Sequence, residues 1–177
     1  MAHRALTGVL LVGGASTRFG SPKALARLDG ETLADRAWRL LGEACDERIA
    51  VGKRADGLEL PFDLLDDGTA VRAPIAGVVA GLRAAQHDVA VVIPVDVPLL
   101  TAAALHELAA ACRDVAMPPS GPLPGAYRRT ALPELERALA GDRLALRAAI
   151  AELDVAIVDL DAALLVNVNT PDDVQRL

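Results

Sequence analysis

The sequence predicts an α/β fold in three layers, with helices covering both faces of a mostly parallel sheet. Strand-sized apolar runs alternate with segments of helical period along the whole chain. The runs are continuous rather than alternating, as expected of strands buried on both faces. The first of them passes straight into a glycine-rich loop, and ligands of such sheets bind beyond the carboxyl ends of the strands.

Residues 6–12 read as the first strand. Residues 24–28 extend the chain up to the turn Asp29-Gly30. Thr32 then caps a helix, with Asp35 as its approximate capping partner and Leu33, Ala37, Leu40, Leu41 and Ala44 on the apolar period. Short strands are expected at 48–51 and 62–65. Pro74 opens a helix that runs to about Gln86. Residues 89–95 form the clearest buried strand. Thr101 caps the next helix, to about Cys112. Short strands follow at 115–117 and 125–128. Helices are expected at 130–139 and 143–153, broken by Gly141-Asp142, then strands at 155–160 and 164–168. Thr170-Pro171-Asp172-Asp173 starts the last helix with a cap, a proline at the first helical position and two acids at its positive end.

With 177 residues and 53% hydrophobic content the chain is expected to form one domain, residues 1–177, around a sizeable core. Aromatics make up 2%, so Leu, Val, Ile and Ala must fill that core. A net charge of −6 argues against a nucleic-acid groove. No apolar run reaches the roughly 20 residues of a membrane span, and no secretory signal is visible. Cys45 and Cys112 lie far apart without a CxxC, which suits small core residues of a reduced, cytoplasmic protein. His3, His87 and His106 lack metal-ligand spacing and read as surface residues.

The loop after the first strand carries Gly13, Gly14, Ser16, Arg18, Gly20 and Lys23. Glycines let backbone N–H groups close on a ligand, and successive N–H groups form a nest for an anion. Arg18 adds a planar fork and Lys23 a compact point charge. Lys23 and Lys53 are the two lysines in a chain whose Lys+Arg total is 18, so a lysine at 23 suggests that an ammonium is wanted there. Pro22 separates Gly20 from Lys23, so this is no Walker A loop, and the dinucleotide pattern Gly-x-Gly-x-x-Gly is absent as well. The loop reads as a triphosphate cradle of another design.

Three more places carry chemistry. Asp96 sits between Pro94 and Pro98, just past the buried strand, where a carboxylate suits Mg²⁺ beside bound phosphates. A turn or capping aspartate is the plainer reading. Asp66-Asp67-Gly68 follows the third strand and, read alone, is a turn. Asn167 and Asn169 are the two asparagines of the chain, and residues two apart on a strand share a face. Capping the final helix is their structural alternative.

Together these motifs resemble the MobA-like guanylyltransferases of molybdenum cofactor synthesis. The resembling pieces are the run from Leu11 to Gly20 with Lys23, Pro74-Ile75-Ala76-Gly77, Pro94-Val95-Asp96-Val97-Pro98 and Val166-Asn167-Val168-Asn169-Thr170-Pro171. Their order and spacing match from Leu6 to the C-terminus. The resemblance implies a three-layer Rossmann-like nucleotidyltransferase fold that transfers GMP from MgGTP to molybdopterin. Leu11, Val12 and Gly13 would then contact GTP through the backbone, with Gly14 and Ser16 completing the loop. Lys23 would bind the phosphates, Asp66 would help hold the nucleotide, and Asp96 would bind Mg²⁺ and GTP. Asp67 would replace Asp66 if the loop shifts by one residue. Arg18 and Lys23 would stabilise the leaving pyrophosphate, and Asn167 and Asn169 would lie on the acceptor side or near the metal. Arg128, Arg129, Arg143 and Arg147 are further acceptor candidates, though ordinary solvated arginines are the simpler reading. Transient contact with molybdenum cofactor insertion or delivery proteins goes with the same resemblance. The chain departs from the family pattern at Ala73, where glycine is usual, and at Gly52, where related proteins can carry asparagine. A molybdopterin cytidylyltransferase, or another small-molecule nucleotidyltransferase, is the alternative, and a non-catalytic nucleotide-binding partner the second.

Overall fold

A computed structural model describes residues 5–13 and 22–177 of the chain. In order along the chain the strands are β1 (Leu6–Leu11), β2 (Arg27–Leu28), β3 (Glu31–Thr32), β4 (Glu47–Gly52), β5 (Leu64–Asp66), β6 (Val89–Pro94), β7 (Val115–Met117), β8 (Gly125–Arg128) and β9 (Val155–Ile157). The helices are α1 (Leu33–Ala44), α2 (Pro74–Ala84), α3 (Ala102–Ala111), α4 (Leu132–Ala140), α5 (Leu146–Ala149) and α6 (Pro171–Gln175).

Among the described residues, seven strands form one sheet in the order β5-β4-β1-β6-β8-β7-β9. The pairs β5–β4, β4–β1, β1–β6 and β7–β9 are parallel, and β8 alone runs against its neighbours. The fold is therefore the expected α/β three-layer arrangement with a mostly parallel sheet. The chain leaves β1 outward through β4 and β5, and α2 then carries it back to β6 on the other side of β1. Strand order reverses there, which makes the carboxyl end of β1 a topological switch point.

Both faces of β1 are buried, as its largely apolar sequence requires, and its one polar side chain, Thr7, donates its hydroxyl to Glu47 Oε2 at 2.6 Å. Leu6 and Leu10 join the core beneath α1 and α3. Val9 and Leu11 join the core beneath α2, α4 and α5. Three glycines set how closely the helices approach. A Cβ on Gly8 would stand 2.8 Å from Leu41 Cδ2 of α1. One on Gly77 would meet Leu11 Cδ2 at 2.7 Å, and one on Gly81 would meet Val9 Cγ1 at 2.5 Å. Glycines four apart on α2 thus let its backbone lie almost directly on β1.

Capping follows the sequence closely. The Thr32 hydroxyl accepts from the Asp35 amide, Thr101 from Ala104 and Thr170 from Asp173, the last within a full capping box. Asp29 and Gly30 both take positive φ in the tight turn between β2 and β3.

Other expectations change. The third strand begins at Leu64 rather than residue 62, because Phe62 leaves the sheet line to stack on Trp38, ring centroids 4.3 Å apart. The helix expected over 143–153 contracts to the four residues of α5. Residues 164–168 are not a strand: Ala162–Leu165 form a 3-10 turn capped by the Asp161 carboxylate, and the parallel edge of the sheet closes at β9. Cys112 is buried, and burial pushes the Cys45 thiol up to about 12, so it behaves as a small apolar side chain. No helix among the described residues is long and apolar enough to cross a membrane.

The α2–β1 approach is testable. Gly81→Ala should cost about 1–3 kcal/mol by overpacking, despite the better helix propensity of alanine. Gly42→Ala is the control, because the new methyl meets only the flexible end of Arg48. Thermal unfolding should show a lowered Tm for Gly81→Ala and none for Gly42→Ala.

Candidate active site

The parallel strands end in step. Leu11 stands beside Val51 on one side and Pro94 on the other, and Gly52 stands beside Asp66. The residues that follow are therefore delivered to one edge of the sheet. They line a cleft with Leu11, Gly13, Gly52, Lys53, Asp67 and Asp96 among its walls. The N-terminal end of α2, with Ala73, Pro74 and Gly77, forms another wall, and Leu123 overhangs from the loop before β8. The Tyr127 hydroxyl supports that loop by donating to the Pro122 carbonyl at 2.6 Å.

Lys23, Asp96 and Asn169 meet here from three distant parts of the chain. Lys23 opens the 3-10 turn Lys23–Leu25 directly after Pro22, and buried Ala24 anchors that turn in the core. Its Nζ donates to Asp96 Oδ2 and to Asn169 Oδ1, each at 3.1 Å. The backbone places Asn169: fully buried Val168 donates its amide to the Asp96 carbonyl at 2.8 Å. Asn167 and Asn169 flank Val168, and both are exposed. The Lys23 and Asp96 side chains keep 19% and 25% of their surface in solvent. Ion pairs that accessible add little to stability, with measured values of about 0–1 kcal/mol. Their convergence at a switch point is better explained by ligand chemistry.

Of the adjoining acids, Asp67 rather than Asp66 faces the cleft. Successive strand residues point to opposite sides. Asp66 ends β5 and turns its carboxylate onto the backbone amides of Arg54 and Gly68, each at 2.8 Å. Those two bonds hold its carboxyl below the usual carboxylate range. Asp67 accepts Lys53 Nζ at 2.6 and 2.8 Å. Arg72 grips Asp56 at the rim, and this guanidinium lowers the Asp56 pKa.

Leu11 and Gly13 line the cleft, whereas the Val12 side chain packs into the α1 core and its amide donates to the Val51 carbonyl at 2.9 Å. Gly14, Ser16 and Arg18 lie outside the described residues. The four arginines considered for the acceptor are engaged elsewhere: Arg128 with the Cys112 carbonyl, Arg129 with Ala85, Arg143 with Glu134 and Arg147 with Pro119. His106 is exposed and His87 half-buried, and among the described residues no three acids, histidines or cysteines gather to hold a metal. The residue that sequence reasoning passed over is Lys53. Its signal was available, since it is the second of the two lysines and follows the second strand of the sheet.

Comparison with known proteins places the chain in a family. Residues 8–157 match the family model of the MobA-like NTP transferase domain. The chain belongs to that family. It is a nucleotidyltransferase. A probable molybdenum cofactor guanylyltransferase of Chloroflexus aggregans is 34% identical, over 98% of this chain and 93% of that protein. A molybdenum cofactor guanylyltransferase of Desulfosudis oleivorans is 31% identical, over 97% and 94%. Among solved structures, molybdopterin-guanine dinucleotide biosynthesis protein A of Archaeoglobus fulgidus superposes with a TM-score of 0.82 at 25% identity, covering 96% of this chain and 95% of that one.

The Asp66 assignment has an acid-pH consequence. Its folded pKa is depressed, so its contribution is complete above the ordinary value of 3.8 and disappears as pH falls through the lowered value. Asp173 follows the same sign, held down by the Asn169 amide and then by Thr170. Carboxyl NMR titration should give midpoints for both below those of exposed aspartates. Protection of the Arg54 and Gly68 amides, taken relative to the intrinsic exchange rate at each pH, should be lost only in acid.

Proposed function

We propose that this nucleotidyltransferase transfers GMP from MgGTP to molybdopterin, releasing pyrophosphate and forming the guanine dinucleotide form of the cofactor. The observation that carries the reading is the meeting of the Lys23 ammonium, the Asp96 carboxylate and the Asn169 amide at the carboxyl edge of the sheet. The names of the full-length relatives support the substrate pair.

Asp96 fits the metal that this chemistry needs. It is a single carboxylate on a partly open cleft, and Mg²⁺ characteristically takes one or two protein carboxylates and fills its shell with phosphate oxygens and water. When bound, the ion would neutralise and polarise the phosphates of GTP. In the transfer itself, a terminal phosphate oxygen of molybdopterin forms a bond to the α-phosphorus. The bond from that phosphorus to the bridging oxygen of the β-phosphate breaks, and pyrophosphate leaves with the electron pair. The nucleophile is already ionised, so no general base is required. The task left to the protein is to bring two anions together and hold them in line. Lys23 meets the charge that develops on pyrophosphate, together with Arg18. The backbone of Leu11 and Gly13 borders the nucleotide, Asp67 faces it, and Asn167 and Asn169 orient the acceptor. The same reading sets the reaction in the cytoplasm, with the product passed to insertion or delivery proteins.

Pyrophosphate release, measured with molybdopterin and either MgGTP or MgCTP, tests the reading. Turnover with GTP and little with CTP is expected. The reverse preference would make the protein a cytidylyltransferase, and binding without turnover would make it a non-catalytic partner.

Lys23→Ala should weaken MgGTP binding and turnover while leaving Tm nearly unchanged, because the ammonium carries little packing. Asp96→Asn should lower turnover by on the order of a hundredfold or more, while metal-free GTP binds as well or better. Near-parent turnover at ordinary Mg²⁺ would move the metal site to another carboxylate. Replacing Asn167 and Asn169 together by alanine should reduce GMP transfer far more than GTP affinity. A less stable double variant with the parent's transfer rate would return both to a structural role.

A further inference from the structure

Lys53 follows directly on β4 and is buried. An ammonium has three N–H donors. Three acceptors surround this one: Asp67 Oδ1 at 2.6 Å, Asp67 Oδ2 at 2.8 Å and the Thr69 carbonyl at 2.6 Å. The partner carboxylate is as enclosed as the ammonium, with 7% and 10% of their side chains exposed. The Asp67 amide donates to the Gly52 carbonyl, so side chain and backbone both tie this loop to the end of β4. The hold continues along the chain. Asp67 Oδ1 accepts the Thr69 amide at 3.1 Å, and Thr69 Oγ1 accepts the Val71 amide at 3.2 Å. Val71, Arg72, Ala73 and Pro74 then form the cleft wall that leads into α2.

A carboxylate this enclosed, facing a cleft that takes a polyphosphate, would repel its ligand if nothing offset it. Lys53 supplies the offset. With its donors engaged, it acts through Asp67 and Thr69 rather than on the ligand. We propose that Lys53 is a positioning residue for nucleotide binding: it neutralises Asp67 inside the cleft and, through Thr69, fixes the wall from Val71 to Pro74. This rests on the reading that the cleft accepts MgGTP.

The experiment compares the parent with Lys53→Met, Asp67→Asn and the double variant. MgGTP affinity is measured by calorimetry where all are folded, and amide exchange is followed without nucleotide. Lys53→Met should weaken MgGTP by about tenfold, and adding Asp67→Asn should recover several-fold of that loss, the signature of a coupled pair. Without nucleotide, amides 69–73 should exchange faster in Lys53→Met than in the parent. A double variant as weak as Lys53→Met, or weaker, would overturn the proposal and make Lys53 a direct phosphate contact. If the parent binds no MgGTP, the nucleotide reading fails and exchange alone decides: unchanged protection at 69–73 overturns the positioning role, and faster exchange supports it. If Lys53→Met does not fold, the double variant, which lacks the uncompensated charge, is judged against the parent by the same exchange readout.

Discussion

The structure depends on the close approach of α2 to β1. A strand buried on both faces can carry no unpaired polar side chain without cost, and β1 is apolar except for Thr7, whose hydroxyl is bonded to Glu47. Gly8 admits α1 on one face, and Gly77 and Gly81 admit α2 on the other. Because α2 is seated directly on Val9 and Leu11, its N-terminal end arrives beside the strand's carboxyl end. One face of the cleft is therefore a by-product of core packing. The glycines decide how far Ala73 and Pro74 stand from Gly13.

The cleft is lined by opposed charges rather than by cations alone. Lys23 meets Asp96, Lys53 meets Asp67 and Arg72 meets Asp56. The pairs differ in their surroundings. The pair at Asp96 is open to solvent and can exchange partners. The pair at Asp67 is enclosed, and enclosed pairs hold geometry because separating them strands a charge. One cleft thus contains a labile contact and a fixed one.

Much of this was legible in the sequence, for identifiable reasons. β1, β6 and β8 and the caps at Thr32, Thr101 and Thr170 follow from local chemistry, because continuous burial and hydroxyl capping leave direct marks on residue choice. The elements misjudged were those whose form depends on distant partners. Phe62 leaves its strand for Trp38, and residues 164–168 carry a strand-like apolar pattern yet finish the 3-10 turn Ala162–Leu165 and run on to the bond between the Val168 amide and the Asp96 carbonyl. Lys23, Asp96 and Asn169 were each singled out in the sequence, by motif or by rarity, but that one ammonium joins the other two was not legible. The choice between Asp66 and Asp67 was not legible, since it rests on which residue ends β5. Lys53 was visible as a rare lysine, but its partner was not.

The bond made by Val168 divides the framework of the sheet from one side of the site. Among the described residues the last strand ends at Ile157, so residues 166–169 take part in no strand pairing. The amide that Val168 offers to Asp96, and the Asn169 oxygen that meets Lys23, come afterward. A chain cut short after the last strand would keep the framework of its sheet but lack one side of the site.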